Sequence, residues 1–294
     1  MRVAVLGCGY VGLELCRQFG DEHEVVGVRR SADGIDRVEA TGARAVRADV
    51  TDADALEAVP DVDAVVFAAS SGGRGAEAAR EVYVEGLRTA VDHFCDRENP
   101  PERVVYTSST GVYGDHGGDW VDEETPIEPT TPKTEVLAEA ERIALDRPTG
   151  DCSGTVARFA GLYGPDRYRL ERYVDGPVTE GYLNMVHRDD AAGAVGYLLE
   201  TGRGRDQAVN VVDDEPVSKW AFADWLAAEC GRDPPEKRTI EERLADGDLS
   251  DPAERRLRTS KRVANDSLRE LGYELAFPTY REGYRAAIEA DRQE

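Results

Sequence analysis

The stretch Gly7-Cys8-Gly9-Tyr10-Val11-Gly12 constrains this chain more than any other. It follows directly on an apolar run at Val3, Val5 and Leu6, and leads into Leu13, Leu15, Cys16 and Phe19 at helical spacing up to Gly20. The first run is too short for a helix and reads as a buried parallel strand. A second run, Val25 to Val28, ends at Arg29-Arg30-Ser31. The order is strand, glycine turn, helix, strand. Gly7 permits the tight turn, Gly9 lets the backbone approach a pyrophosphate, and Gly12 lets the helix pack close to the sheet. The free N–H groups and positive dipole end of the helix then face the phosphates. The unit reads as the start of a dinucleotide-binding fold, with Gly7, Gly9, Tyr10, Val11 and Gly12 as its turn contacts.

The end of the second strand bears on which dinucleotide. An NAD site usually offers an acidic residue there to the ribose 2′-hydroxyl. Here Arg29 and Arg30, followed by Ser31, suit a 2′-phosphate through charge-assisted hydrogen bonds. NADP(H) is favoured, with NAD(H) as the alternative if both arginines are surface charges. Asp49, past a third strand over 43–50, either accepts from the adenine amino group or only solvates its loop. Val50 is its neighbour, and Thr51 or Asp52 is placed to cap the next helix.

The alternation continues. Residues 61–70 make a fourth strand running into Ala68, Ala69 and Ser70, whose small side chains leave room for a ribose and nicotinamide. A loop, Ser71 to Gly75, opens a helix over 76–97. Residues 103–107 give a fifth strand, ending at Thr107 before Ser108-Ser109-Thr110. The expected class is α/β: a Rossmann-type, doubly wound parallel sheet with a small C-terminal substrate lobe. The expected core is residues 1–160 with parts of 185–212, and the lobe 161–294. Within the second half lie a helix near 133–147, a sixth strand at 153–159, helices near 190–201 and 217–230, and a charged surface or mobile segment at 231–259. Asn265 is expected to cap the final helices and Gly272 to stop them.

Charge narrows the partners. The formal net charge is −23, and four lysines stand against 32 arginines. Acidic residues spread along the whole chain, a pattern similar to proteins of salt-loving archaea, whose carboxylate-rich surfaces stay hydrated in molar salt. Such a charge argues against a nucleic-acid partner. No apolar run reaches spanning length and no signal peptide precedes the first strand, so a cytoplasmic chain without a membrane partner is expected. The five cysteines show no CxxC spacing and the four histidines are scattered, so no metal site is expected.

Four motifs in order, Gly7-x-Gly-x-x-Gly12, Thr107-Ser-Ser-Thr-Gly-Val-Tyr-Gly114, Arg158-Phe-Ala-Gly-Leu-Tyr-Gly-Pro165 and His187-Arg-Asp-Asp190, with the closing Ser260-Lys-Arg-Val263, resemble extended short-chain dehydrogenase/reductases, the NAD-dependent epimerase/dehydratase family. GxGxxG in place of GxxGxxG is similar to the atypical branch of YeeZ-like proteins. The resemblance implies a Ser after the fifth strand that polarises a substrate carbonyl, and a Tyr-x-x-x-Lys whose Tyr moves the proton while Lys lowers its pKa and holds the ribose. Ser109 matches the serine. Lys133 stands at the tyrosine position and Leu137 at the lysine position, and no Tyr-x-x-x-Lys occurs in the chain.

Replacements for the dyad are Lys133, if desolvated, and Tyr113 or Tyr163 on loops facing the family's cleft. Lys133 is otherwise a solvated side chain and Tyr163 a packing residue. By the same resemblance Asn184 and His187 belong to the substrate lobe. Arg158, Arg167 or Arg169 would take an anionic substrate group, unless Arg158 makes a buried ion pair. The implied substrate is a small polar molecule of nucleotide-sugar type. The implied assembly is a homodimer through helices 76–97 and 133–147, with Leu87, Val91 and Phe94 at the seam or facing the sheet. Two functions remain: an oxidoreductase or epimerase with an unusual proton donor, or a catalytically silent NADP(H)-binding sensor or subunit.

Overall fold

The computed structural model describes residues 1–72 and 75–293. Gly73 and Arg74, in the loop expected at 71–75, lie outside the described residues. The chain falls into two compact units, one of residues 1–112, 132–159 and 191–209, the other of 113–131, 160–190 and 210 onwards. Residues 113–131, which the sequence boundaries assign to the core, therefore go with the second unit.

β1 (Arg2–Leu6), β2 (Glu24–Arg29), β3 (Arg44–Arg47), β4 (Ala64–Phe67), β5 (Arg103–Ser109), β6 (Ser153–Phe159) and β7 (Gln207–Val211) form one sheet, which belongs to the first unit but for the last two residues of β7. Its order is β7-β6-β5-β4-β1-β2-β3. The pairs from β3 across to β6 are parallel, with Val5 of β1 opposite Gly27 on one side and Val66 on the other. Val3 to Leu6 and Val65 to Phe67 are wholly buried, as strands covered on both faces must be. The order reverses between β1 and β4, and the C-terminal ends of the strands at such a reversal are where doubly wound sheets hold ligands.

The helices are α1 (Tyr10–Phe19), α2 (Ala32–Glu39), α3 (Ala53–Leu56), α4 (Ala76–Arg80), α5 (Leu87–Cys95), α6 (Pro132–Asp146) and α7 (Arg188–Thr201), with a π-helical turn, Glu81–Gly86, joining α4 to α5. Ser31 caps α2 by accepting from the Gly34 N–H at 3.2 Å. Asp52 caps α3 by accepting from Asp54 and Ala55.

Leu87, Val91 and Phe94 are at most 1% exposed within the chain itself, which takes them out of any seam between copies. The outward sides of the same helices instead carry ion pairs, Arg80 with Glu139 and Arg147 with Asp92 at 2.5 Å.

The second unit is built on an aromatic core of Tyr163, Phe222, Tyr280 and Tyr284 with Leu226 and Ile288. Its charged stretch is more ordered than its composition suggests. Lys237–Arg238 pairs in parallel with Val178–Thr179, and helices run over Ile240–Ala245 and Asp251–Arg258. Few apolar groups are available there, so polar contacts hold it. Thr239 and Glu242 form a capping box, and Arg238 pairs with Asp246 at 2.7 Å and Arg258 with Glu254 at 2.9 Å. Asn265 stands at the N-cap of its helix but makes no capping bond. Its side chain donates to the Val212 carbonyl and to Asp214 instead.

Candidate functional site

The turn after β1 is shaped by two steric facts. Gly7 has φ +99°, and a Cβ there would lie 2.2 Å from the Ala69 Cα, which is backbone meeting backbone. A Cβ on Gly12 would lie 2.5 Å from the Gly7 carbonyl oxygen. Only glycine lets β1, the end of β4 and α1 converge so tightly. No side chain caps α1 at Gly9, and the positive end of the helix dipole points toward this turn.

Around this turn lies a cleft of about 260 Å3 lined by Gly7, Gly9, Val28, Arg29, Arg30, Ser31, Ala48, Asp49, Val50, Ala68, Ala69, Ser70, Gly72 and Val82. The turn, the end of β2, the loop after β3 and the end of β4 are thus brought together, as a dinucleotide requires. Of the other residues expected to hold it, Tyr10 is half-buried in the first turn of α1, and Val11 and Gly12 are buried. The Thr107 hydroxyl donates to the Phe67 carbonyl, joining β5 to β4. Val82 was not visible in the sequence as a lining residue, because the π-helical turn that carries it has no local signature.

The electrostatics of the cleft centre on Arg30 and Asp49. The exposed Arg30 guanidinium donates to Asp49 Oδ2 at 3.3 Å, while Thr51 donates to Oδ1 through its N–H at 3.0 Å and its hydroxyl at 2.8 Å. Partial burial works against the charge, yet these hydrogen bonds hold the Asp49 carboxyl below the usual carboxylate range. Asp49 thereby orients Arg30 at the rim. Arg29 is half-buried beside it, against Gly34 of α2.

The expected proton donors fare differently. Ser109 ends β5, and its Oγ accepts from the Gly111 N–H at 3.1 Å, so its own O–H remains a donor for a carbonyl oxygen. Lys133, at the start of α6, is exposed and lacks the desolvation that proton transfer by an amine needs. Leu137 is buried. The Tyr113 phenol is wholly buried in the second unit and donates to Asn210 Oδ1 at 2.9 Å. Tyr113 is therefore a packing residue.

Arg158, Tyr163, Asn184 and His187, all expected at the substrate, are absorbed in the fold. Arg158 is buried and binds the buried Glu141 at 2.8 Å, and Glu141 also accepts from the Ser108 hydroxyl at 2.6 Å. That network removes Arg158 from substrate contact. Tyr163 is buried and stacks on Tyr284 at 5.0 Å, with its hydroxyl where a Cβ on Gly283 would be. Asn184 accepts from the Val263 N–H at 2.7 Å and donates to the Lys261 carbonyl at 3.0 Å, so it splices two backbone segments. His187 is buried, with its ring 3.9 Å from that of Phe277 and its Nδ1 accepting from the Asp189 N–H. Arg167 and Arg169 are exposed.

Among the described residues one group of potential metal ligands gathers, Glu22, His23 and Glu200, and His23 Nε2 is 2.8 Å from Glu200. None of the three lines the cleft. No helix among the described residues is long and apolar enough to cross a membrane.

Lys261 of the second unit is buried, and its ammonium donates to the Gly114 carbonyl at 2.9 Å. Burial pushes its pKa down to about 8 against the opposing pull of Asp115. Between pH 8 and 10.5 the unfolded chain binds the proton that the folded chain has released, so this residue makes stability rise with pH across that window. Below it the burial penalty is fully present. Lys261→Met is expected to gain on the parent chain at pH 7 by ~1–3 kcal/mol, an advantage that shrinks toward pH 10. Urea titrations at both pH values check this, and a pH-independent difference would contradict it.

A doubly wound sheet with an arginine-rimmed cleft at its strand reversal defines an α/β protein of the Rossmann type. More narrowly, the chain belongs to the NAD dependent epimerase/dehydratase family, which it matches over residues 3–212. It is similar to protein YeeZ of Escherichia coli K12, 29% identical over 285 residues that cover 94% of this chain and 96% of that protein. Among solved structures it is similar in fold to the dTDP-glucose 4,6-dehydratase DesIV of Streptomyces venezuelae with NAD and TYD bound, at TM-score 0.79 and 22% identity over 100% of this chain and 98% of that one. The human epimerase family protein SDR39U1 with NADPH gives TM-score 0.80 and 19% identity over 98% and 99%.

Proposed function

We propose that this chain binds NADP(H) in the cleft at Gly7 to Gly9 and acts as a dinucleotide-binding sensor or subunit, without the family's usual proton-transfer dyad. The observation that carries the reading is the rim of that cleft: two arginines at the end of β2, with Arg30 held by Asp49, where an NAD site would present a carboxylate to the ribose. Gly9 and the N-terminus of α1 would hold the pyrophosphate. Ala68, Ala69 and Ser70 would leave room for ribose and nicotinamide, which supplies hydride chemistry when bound. Lys133 in water and Leu137 in the core give that chemistry no proton donor at the dyad positions. SDR39U1, similar in fold, was solved with NADPH.

The second reading, an oxidoreductase or epimerase acting on a polar carbonyl or nucleotide-sugar-like substrate, is favoured by Ser109. Its hydroxyl accepts from Gly111 and is left to polarise a carbonyl. DesIV, similar in fold, is a dTDP-glucose 4,6-dehydratase.

Fluorescence titration with NADPH and NADH separates the cofactors. The parent chain is expected to bind NADPH at least tenfold more tightly, and Arg29→Glu with Arg30→Glu to abolish or invert that preference. Equal affinities in the parent would defeat the NADP(H) assignment. Absorbance of NADPH with a panel of nucleotide sugars separates the two readings. Turnover lost in Ser109→Ala supports the enzyme, and no turnover with intact binding supports the sensor.

A further inference from the structure

We propose that Cys95 and Cys152 form a reversible redox pair that closes a disulfide when the chain meets a peroxide. The five cysteines are all free thiols, and these two lie 57 positions apart in sequence with their sulfurs 2.8 Å apart. That is inside ordinary contact between two sulfur atoms. Cys95 sits on a helix, and the Cys152 N–H is tied to the Thr149 carbonyl at 3.2 Å. Cys95 is the last residue of α5, which is held in the core by the buried Leu87, Val91 and Phe94. Cys152 directly precedes β6, whose first N–H, at Ser153, donates to the Glu102 carbonyl at 3.0 Å. The elements on which the core depends hold the two thiols together.

The surroundings distinguish this pair from the other close one. Cys8 and Cys16 are 3.6 Å apart but at most 1% exposed, and the Cys8 thiol is occupied in donating to the Val5 carbonyl. Cys95 is partly exposed and gives a small oxidant a way in, whereas Cys152 is buried behind it. The Cys95 hydrogen bond favours the thiolate at Cys152. So does Arg205, whose guanidinium donates to the Ser153 hydroxyl at 3.0 Å next door.

The chemistry balances with hydrogen peroxide as oxidant. The Cys152 thiolate attacks one peroxide oxygen, the O–O bond breaks, and a sulfenic acid forms with release of hydroxide. The Cys95 sulfur then attacks the sulfenic sulfur, an S–S bond forms, the S–O bond breaks, and the oxygen leaves as water. The two sulfurs give up two electrons, peroxide takes them, and the net products are a disulfide and two waters. A dithiol reductant reverses it. The proposal is independent of which dinucleotide the cleft holds.

The test uses the full chain, treated with hydrogen peroxide, denatured and alkylated. Reactive thiols are expected to fall from the five of the sequence to three. Intact mass should drop by two hydrogens, a cross-linked peptide should join Cys95 to Cys152, and dithiothreitol should restore all five. Cys152→Ser is expected to keep all four remaining thiols under the same treatment, while Cys95→Ser is expected to lose only Cys152, which stops at the sulfenic acid and forms no disulfide. The proposal is overturned if the parent chain keeps five alkylatable thiols or gains only oxygen adducts, or if either variant still loses two thiols. The parent peptide map decides the linkage even where a variant folds poorly.

Discussion

Glu141→Ala is expected to cost ~3–5 kcal/mol of stability, because it strands the Arg158 guanidinium in the core of the first unit. The side chains of Arg158 and Glu141 are 8% and 3% exposed, so water cannot replace the lost partner. The Glu141 carboxylate accepts from Arg158 Nε at 3.1 Å and Nη2 at 2.8 Å, and from the Ser108 hydroxyl at 2.6 Å. These bonds join α6 to the ends of β5 and β6, directly behind Ser109. Removing both charges is a different experiment from removing one. Glu141→Leu with Arg158→Leu leaves no unpaired charge and should recover most of the loss, since a buried ion pair barely outperforms well-packed apolar groups. Ser108→Ala removes one bond to a charged acceptor and should cost ~1–3 kcal/mol. Urea unfolding of the three variants, compared at equal slope, measures all of this. A loss below ~1 kcal/mol for Glu141→Ala would mean that water reaches Arg158, and the pair would lose its structural role.

That network also shows what a sequence can and cannot reveal. The opening strand, turn and helix were legible because their determinants are local: a strand of continuous apolar residues, glycines at fixed offsets and a 3.6-residue period lie within twenty positions of one another. The same holds for the cleft rim, where Arg29, Arg30, Ser31 and Asp49 sit at strand ends whose places follow from the alternation. What failed depended on partners far along the chain. Arg158 on a strand end reads more readily as an ion pair than as a substrate contact, but its partner, Glu141, a turn of helix away from Leu137, is not named by the sequence. Tyr113 became a core residue through Asn210, and Asn184 became a backbone splice through residues 261 and 263. Leu87, Val91 and Phe94 have a helical period that fits a dimer seam and a sheet-facing stripe alike, and only burial chooses between them. The segment 231–259 lies at the surface, as its charge suggests, but its short strand and two helices were hidden because hydrophobic periodicity is blind to structure held by caps and ion pairs.

The glycine turn offers the sharpest division between fold and binding. Gly7→Ala is expected to do both kinds of damage. Its φ of +99° is disfavoured for any residue with a Cβ, and that Cβ would lie 2.2 Å from Ala69 Cα and 2.3 Å from Ala69 N. Backbone atoms cannot rotate aside, so the ends of β1 and β4 must part. A loss of ~2–4 kcal/mol and at least a hundredfold weaker NADPH binding are the expected results. Gly9→Ala isolates the second effect. Among the described residues, nothing beyond its chain neighbours lies within 4 Å of the place its Cβ would take, and Gly9 lines the cleft. The added methyl therefore meets no described residue across the turn and projects where the pyrophosphate would sit. Its stability should stay within ~1 kcal/mol of the parent while NADPH affinity falls at least tenfold. Thermal unfolding without ligand and fluorescence titration with NADPH read the two quantities separately. If Gly9→Ala bound NADPH as well as the parent chain, the phosphates could not lie against this turn. The steric reason for Gly7 would stand even then, since it comes from the meeting of β1 with β4 and needs no ligand.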